Sequence, residues 1–246
     1  AEVVPGEGSM IARGLGRAYG DSALGAGTTL EMRGLRRMLG FDAETGVLVA
    51  EAGVSLAEII AAFLPRGFFP SVTPGTKFVT LGGAIAADVH GKNHHSEGGF
   101  GDHTLWIDLM GPDGEVRRCS RTEHPALFAA TLGGMGLTGV ILRAAVRLRP
   151  VETAWIRQET RALPDLDAAL AAFDETAGAT YSVAWIDCLA TGAATGRSLL
   201  MLGEHARRDE LPAEARARPF ATPPRKRRTV PFDAPSFALN GLSVRL

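Results

Sequence analysis

Pro74-Gly75-Thr76-Lys77-Phe78-Val79-Thr80-Leu81-Gly82-Gly83-Ala84-Ile85-Ala86-Ala87-Asp88-Val89-His90-Gly91-Lys92-Asn93-His94-His95 is the most informative stretch of this chain. Thr80 can cap a short helix. The small residues from 82 to 87 let that helix lie tightly against a flat ligand, with its N-terminus turned toward phosphate. Polar groups crowd in behind: four of the six histidines fall between 90 and 103, and Lys92 is one of three lysines. His90 and Lys92 stand two apart in an extended segment, a spacing that points both to one side and makes them the candidate functional pair. His94, His95 and His103 fit simple bonding to backbone in a glycine-rich loop. A metal site is disfavoured, because Gly91 breaks a helical register, no HExxH spacing exists and no cysteine is near.

Upstream, Arg13-Gly14-Leu15-Gly16-Arg17-Ala18-Tyr19-Gly20-Asp21 follows a predicted strand at residues 10–13. Glycines 14, 16 and 20 let backbone amides approach a diphosphate, and two arginines are at hand for its charge. Tyr19 replaces the third glycine of a Rossmann fingerprint, and no Gly-Lys-Ser/Thr follows to make a P-loop. A plain glycine-rich turn is the alternative. Downstream, Thr131-Leu132-Gly133-Gly134-Met135-Gly136-Leu137-Thr138-Gly139 ends a predicted helix at residues 124–131. On its own it reads first as C-cap chemistry, with a ligand edge as the other reading.

Around these loops the pattern is α+β. Residues 28–32 and 47–52 read as strands. Ser55 with Glu58 forms a capping box opening a helix over 56–64, which Pro65 and Gly67 stop. Leu105, Ile107 and Leu109 alternate before a turn at 112–114, and residues 115–120 return as the second arm of a hairpin. From Val140 the alternation places Val140, Leu142, Ala144, Val146 and Leu148 on one face and Arg143, Arg147 and Arg149 on the other, which predicts one polar sheet face. Twenty-five of the 30 glycines precede residue 150, so a boundary is expected there. Beyond it come a strand through Trp155, a helix over 164–177, a strand over 181–187 and room for two further elements. Eight basic residues against three acidic, with prolines at 212, 219, 223 and 224, predict a mobile basic loop over 207–228. Within it Arg225, Lys226, Arg227 and Arg228 are either a solvated patch or an attraction for a phosphate head group or anionic lipid.

The 246 residues are 46% hydrophobic and 22% charged, with 26 basic and 27 acidic side chains. That is globular composition with no net field to draw nucleic acid. Two cysteines are too few for a disulfide framework, and no apolar run reaches the length of a spanning helix. A soluble or peripherally membrane-associated protein is expected, its cellular side left open.

Taken in order, IARGLGRAYGD, PGTKFVTLGGAIAADVHGKNHH and GGMGLTG resemble the FAD-linked oxidoreductases of the vanillyl-alcohol-oxidase superfamily. They are most similar to the branch that oxidises polyprenyl-phosphoryl sugars as the first half of a 2′-epimerisation. The resemblance implies a PCMH-type FAD-binding domain over 1–150, lacking its first βα element, and an incomplete substrate or cap domain with an antiparallel sheet over 151–246. It implies FAD contacts at Ala12, Arg13, Gly14, Leu15, Gly16, Arg17, Ala18, Tyr19, Gly20, Asp21 and Ser22. Further FAD contacts are implied at Gly75, Thr80, Leu81, Gly82, Gly83, Ala87, Asp88, Val89, His90 and Ile141. Tyr19, His90 and Lys92 match positions near the reacting ring, and Lys92 and Trp185 match the substrate pocket. Relatives that attach FAD covalently carry a histidine where this chain has Arg17, so non-covalent FAD is implied. So are oxidation of a secondary alcohol in a cell-wall precursor pathway, a separate nicotinamide-dependent keto-reductase as partner, and further chain at both ends. An oxidase or dehydrogenase of a free sugar or aldonolactone is the alternative enzyme, and a non-catalytic flavin-binding module the alternative of another class.

Overall fold

One long strand organises the first half of the molecule. The computed structural model describes residues 9–222 together with residues 235 and 240. In chain order the elements are β1 (Met10–Arg13), β2 (Thr28–Glu31), β3 (Met38–Asp42), β4 (Val47–Glu51), α1 (Leu56–Phe63), β5 (Phe68–Pro70), α2 (Leu81–Ala86), α3 (His94–Glu97), β6 (Thr104–Met110), β7 (Val116–Ser120), α4 (Pro125–Thr131) and β8 (Val140–Pro150). They continue with β9 (Ile156–Leu163), α5 (Leu166–Glu175), β10 (Tyr181–Ile186), β11 (Ser198–His205) and α6 (Ala213–Arg216). Antiparallel pairing runs β3-β4-β8-β6-β7, β5 pairs with the end of β8, and β1 and β2 form a separate parallel pair.

The chain divides into two units. One holds the residues up to Arg157 with Glu204–Phe220; the other holds Gln158–Gly203 and the described residues after 220. In the first, Leu48, Leu56, Ile59, Leu81, Ile85, Ile107 and Leu109 are fully or almost fully buried in one core. Helix α1 forms as its sequence dictates: the Ser55 hydroxyl accepts the Glu58 amide, and the Glu58 carboxylate accepts the Ser55 amide in return. In the second unit the sheet order is β10-β11-β9, and Ala172 of α5 packs with Leu200 and Leu202 of β11.

Strand β8 departs from the expected alternation. Arg143 and Arg147 are exposed, but Ile141 and Ala145, which should share their polar side, are buried. Two causes act together: α2 packs against β8, and pairing skips from Asp108↔Arg143 to Leu109↔Ile141, a bulge that re-aims the strand. Where Asp108 lies between β7 and β8 it is buried, yet it accepts hydrogen bonds from Arg118 Nε (2.8 Å) and from Arg143 Nε.

The expectation of an irregular basic loop over 207–228 also needs correction in its described part. Residues 208–210 form a 3₁₀ turn and α6 follows, entered through Pro212, a position where proline costs no hydrogen bond. Arg216 closes the turn by donating to the carbonyls of Leu211 and Asp209, and the Pro219 carbonyl accepts the Ala154 amide at 2.9 Å. The Arg225–Lys226–Arg227–Arg228 run lies outside the described residues. No helix among the described residues is long and apolar enough to cross a membrane.

Candidate functional site

Three glycine-bearing loops of the first unit line one pocket, a cavity of about 140 Å³ that opens to solvent. The first loop contributes Gly14, Leu15, Gly16, Arg17, Ala18, Ser22 and Ala23, following Ala12 at the end of β1. It is folded on itself: Arg13 donates to the Ala23 carbonyl (3.4 Å), Ser22 Oγ to the Tyr19 carbonyl (3.1 Å), and the Leu24 amide to the Asp21 carbonyl. Its backbone amides at residues 14–18 donate to no acceptor among the described residues. A cluster of uncommitted N–H groups at a pocket wall is the arrangement that receives a diphosphate. Gly14 is required there, because a Cβ would collide with Thr80 Oγ1.

The second loop gives Val79, Thr80, Gly82, Gly83, Ala86, Ala87 and Val89. Here the expected role of the helix N-terminus fails. Thr80 does cap α2, accepting the Gly83 amide at 3.2 Å, but the Leu81 amide goes to Val54 O (2.7 Å) and the Gly82 amide to Ala52 O (2.8 Å). The first amides of α2 are therefore spent inside the protein, and what α2 offers the pocket is closeness. The third loop supplies Met135, Gly136 and Gly139, with Ile141 of β8 beside them. Met135 holds a left-handed backbone (φ 52°) while its amide donates to Ala86 O at 2.8 Å, which fastens the loop to the end of α2.

The walls are mostly small apolar side chains, and among the described residues Arg17 is the only charged one lining them. Uncommitted amides, one guanidinium and flat apolar surface fit a ligand with a diphosphate and an aromatic plane, which is the chemistry of FAD.

Of the residues proposed from sequence, Ala12, Gly14, Leu15, Gly16, Arg17, Ala18, Ser22, Thr80, Gly82, Gly83, Ala87, Val89 and Ile141 line this pocket. Others do not. Leu81 is fully buried in the core. Arg13 is spent on its own loop, and Gly20, Asp21 and Gly75 are not on the wall. Asp88 (φ 39°) is committed to the Gly101 amide at 2.7 Å. Tyr19 is 98% exposed. His90 and Lys92 are exposed on a separate loop, where the His90 ring lies edge-on to that of His94, centroids 5.7 Å apart. Trp185 belongs to the second unit, 73% exposed, and lines an open groove there with Leu163, Ile186, Cys188, Arg197 and Leu199. Sequence reasoning missed Ala23, Met32, Ala52 and Val79; Ala86 lies in the 82–87 stretch it set against the ligand, and Met135, Gly136 and Gly139 lie in the loop for which a ligand edge was its second reading. The GGMGLTG motif carried the signal for the last three, but on its own it reads first as helix-end chemistry.

Residues 7–120 match the family described as FAD binding domain. Decaprenylphosphoryl-beta-D-ribose oxidase of Mycolicibacterium smegmatis is 41% identical over 230 residues, 92% of this chain and 48% of that protein. A protein of Streptomyces coelicolor from the mprA 5′ region is 44% identical over 170 residues, 69% of this chain and 45% of its own length. Cytokinin dehydrogenase 5 of Arabidopsis thaliana is 33% identical over 103 residues, 41% of this chain and 19% of that protein. The chain thus spans just under half the length of the first two relatives. Three loops that close on one amide-lined pocket, and a matched domain that contains the first two of them, lead to one conclusion: residues 7–120 match the FAD binding domain family, and the chain is similar to FAD-linked oxidoreductases that carry this domain.

Proposed function

We propose that the protein is an FAD-dependent oxidoreductase that oxidises a secondary alcohol on a polyprenyl-phosphoryl sugar, the oxidative half of a 2′-epimerisation. The observation that carries the reading is the pocket with its uncommitted amides, in a chain 41% identical to a protein named as the oxidase of such a sugar. When bound, FAD supplies the two-electron acceptor for hydride leaving an alcohol carbon.

This chain's own residues would do the rest. The amides of residues 14–18 and the Arg17 guanidinium hold the diphosphate, and Ala12, Ala52 and Ile141 give a flat wall that excludes water. While a base takes the hydroxyl proton, His90 or Lys92 would hydrogen-bond the reacting hydroxyl or the charge that develops beside it. Trp185 forms a wall of the substrate pocket, within a second domain that acts as a cap. FAD is held without a covalent bond, because Arg17 cannot form the link that a histidine makes. A nicotinamide-dependent reductase returns the keto sugar, and contact with an anionic membrane surface delivers the lipid-linked substrate.

Two measurements test this on the native gene product. Acid precipitation should release FAD into the supernatant; flavin kept in the pellet refutes the non-covalent part. Anaerobic mixing with a polyprenyl-phosphoryl pentose should bleach the flavin absorbance, and His90→Ala and Lys92→Ala should each slow that bleaching by about 100-fold or more with FAD content unchanged. Reduction by free sugars or aldonolactones alone would replace the lipid-linked substrate with a soluble one. Failure of every sugar would leave a flavin-binding module.

A further inference from the structure

Residues 90–99 form a closed loop. Its neck is the antiparallel bridge His90↔Gly99, and its far side is the single turn α3, whose Ser96 and Glu97 amides both return to the Asn93 carbonyl (3.1 and 2.9 Å). Compact loops of this length with joined ends are rigid only where their own side chains pack beneath them. Here the side chains sort by direction. His90, Lys92, His94 and His95 are exposed, whereas Asn93 is fully buried and Glu97 is half-buried.

The two inward groups reach the same end of β8. Asn93 Nδ2 donates to the Ser71 carbonyl at 2.8 Å, and Ser71 Oγ donates to the Arg147 carbonyl at 3.2 Å. Glu97 Oε1 lies 3.4 Å from Arg149 Nη1, its Oε2 lies 3.4 Å from His103 Nε2, and that same nitrogen is 3.0 Å from the Glu97 carbonyl oxygen. Asn93 Oδ1 has no hydrogen-bond partner among the described residues. Burying an amide with one oxygen unpaired is costly, and an apolar side chain of similar size would fill the space without that cost. The amide gives a directional bond that fixes the register of the loop over the sheet. Gly91 makes the approach feasible, since a Cβ there would stand 2.7 Å from both Asn93 Oδ1 and the Thr73 carbonyl oxygen.

We infer that Asn93 and Glu97 are positioning residues: they tether the 90–99 loop to β8 and so fix where His90 and Lys92 are presented. The inference rests on the oxidoreductase reading for its consequence in turnover, but the tether itself is measurable without substrate.

The experiment uses the native gene product, FAD-loaded and apo, with Asn93→Ala, Glu97→Ala and the charge-neutral, isosteric Glu97→Gln. Hydrogen exchange at the amides of Ser96, Glu97 and Gly98 should accelerate about 10-fold or more in both alanine variants and less in Glu97→Gln, while amides of β8 keep their rates. Flavin reduction at saturating substrate should fall about 10- to 100-fold in the alanine variants, with KM nearly unchanged and Glu97→Gln partly restored. Unchanged exchange in the loop overturns the inference. So does faster exchange with an unchanged reduction rate per bound flavin. If Asn93→Ala fails to fold, the Glu97 pair decides by the same two readouts. A wild-type protein that binds FAD but is reduced by no sugar overturns the proposed function instead, and the exchange rates alone then judge the tether.

Discussion

Asp108 shows how single residues carry this fold. Burial pushes its carboxyl pKa up, but the hydrogen bonds from Arg118 and Arg143 outweigh that, and the net result lies below the ordinary 3.8. Arg118 also lies over the Trp106 ring at 3.7 Å, so the pair is packed as well as charged. Asp108→Asn keeps the shape and loses the charge, and should cost about 1–3 kcal/mol at pH 7 in chemical denaturation. Both guanidinium groups are roughly half exposed and therefore screened, which sets the cost below that of a fully buried pair. The sign with pH is fixed by the depressed folded value: the stabilisation is present above about pH 4 and is lost as pH falls through the folded pKa. The variant should therefore be flatter than wild type below pH 4, and an unchanged slope there would remove Asp108 from the account.

At the scale of elements, the capping box is the clearest test of a local sequence signal. Ser55→Ala removes the acceptor for the Glu58 amide and should lower stability by about 1 kcal/mol, measured as a shift in denaturation midpoint. Elements with such local chemistry were legible in the sequence: α1, the β6–β7 hairpin with its 112–114 turn, and the alternating half of β8. Strands β3 and β5 were not. Phe68, Phe69 and Pro70 follow the helix stop at Pro65 and Gly67 with no strand pattern of their own, and they become a strand only by pairing with Arg149 and its neighbours far along the chain. The site divides in the same way. Glycine loops announce close backbone approach, so the Gly14 and Gly82 regions could be found. Ala52 and Met32 line the pocket through tertiary placement, which no local pattern encodes. The α2 N-terminus misled because sequence shows a cap residue but not where the free amides go.

For the molecule as a whole, pH reports on a group that the cofactor pocket does not use. His205 stands edge-on to Phe69, ring centroids 5.8 Å apart, and burial, with Arg149 nearby, brings its pKa down from 6.5 to about 4. The unfolded chain takes up a proton below pH 6.5 while the folded one resists until about pH 4. Stability is therefore full above 6.5 and declines as pH falls across that window toward about 4. Thermal unfolding from pH 7.5 to 4 should show the decline, and His205→Gln should flatten it; equal slopes would place the titration elsewhere. The topology of β8 bears on how the chain is made. Its partners β4 and β5 precede it by some 80 to 100 residues, with Leu48 set against Val146 and Phe69 against Arg149. Closing such distant pairs is slow. A ribosome would have to deliver Pro150 before the central ladder could form, so the glycine loops, already synthesised, would wait without a sheet to hold them, and nascent chains stalled short of β8 should be open to protease and to chaperones.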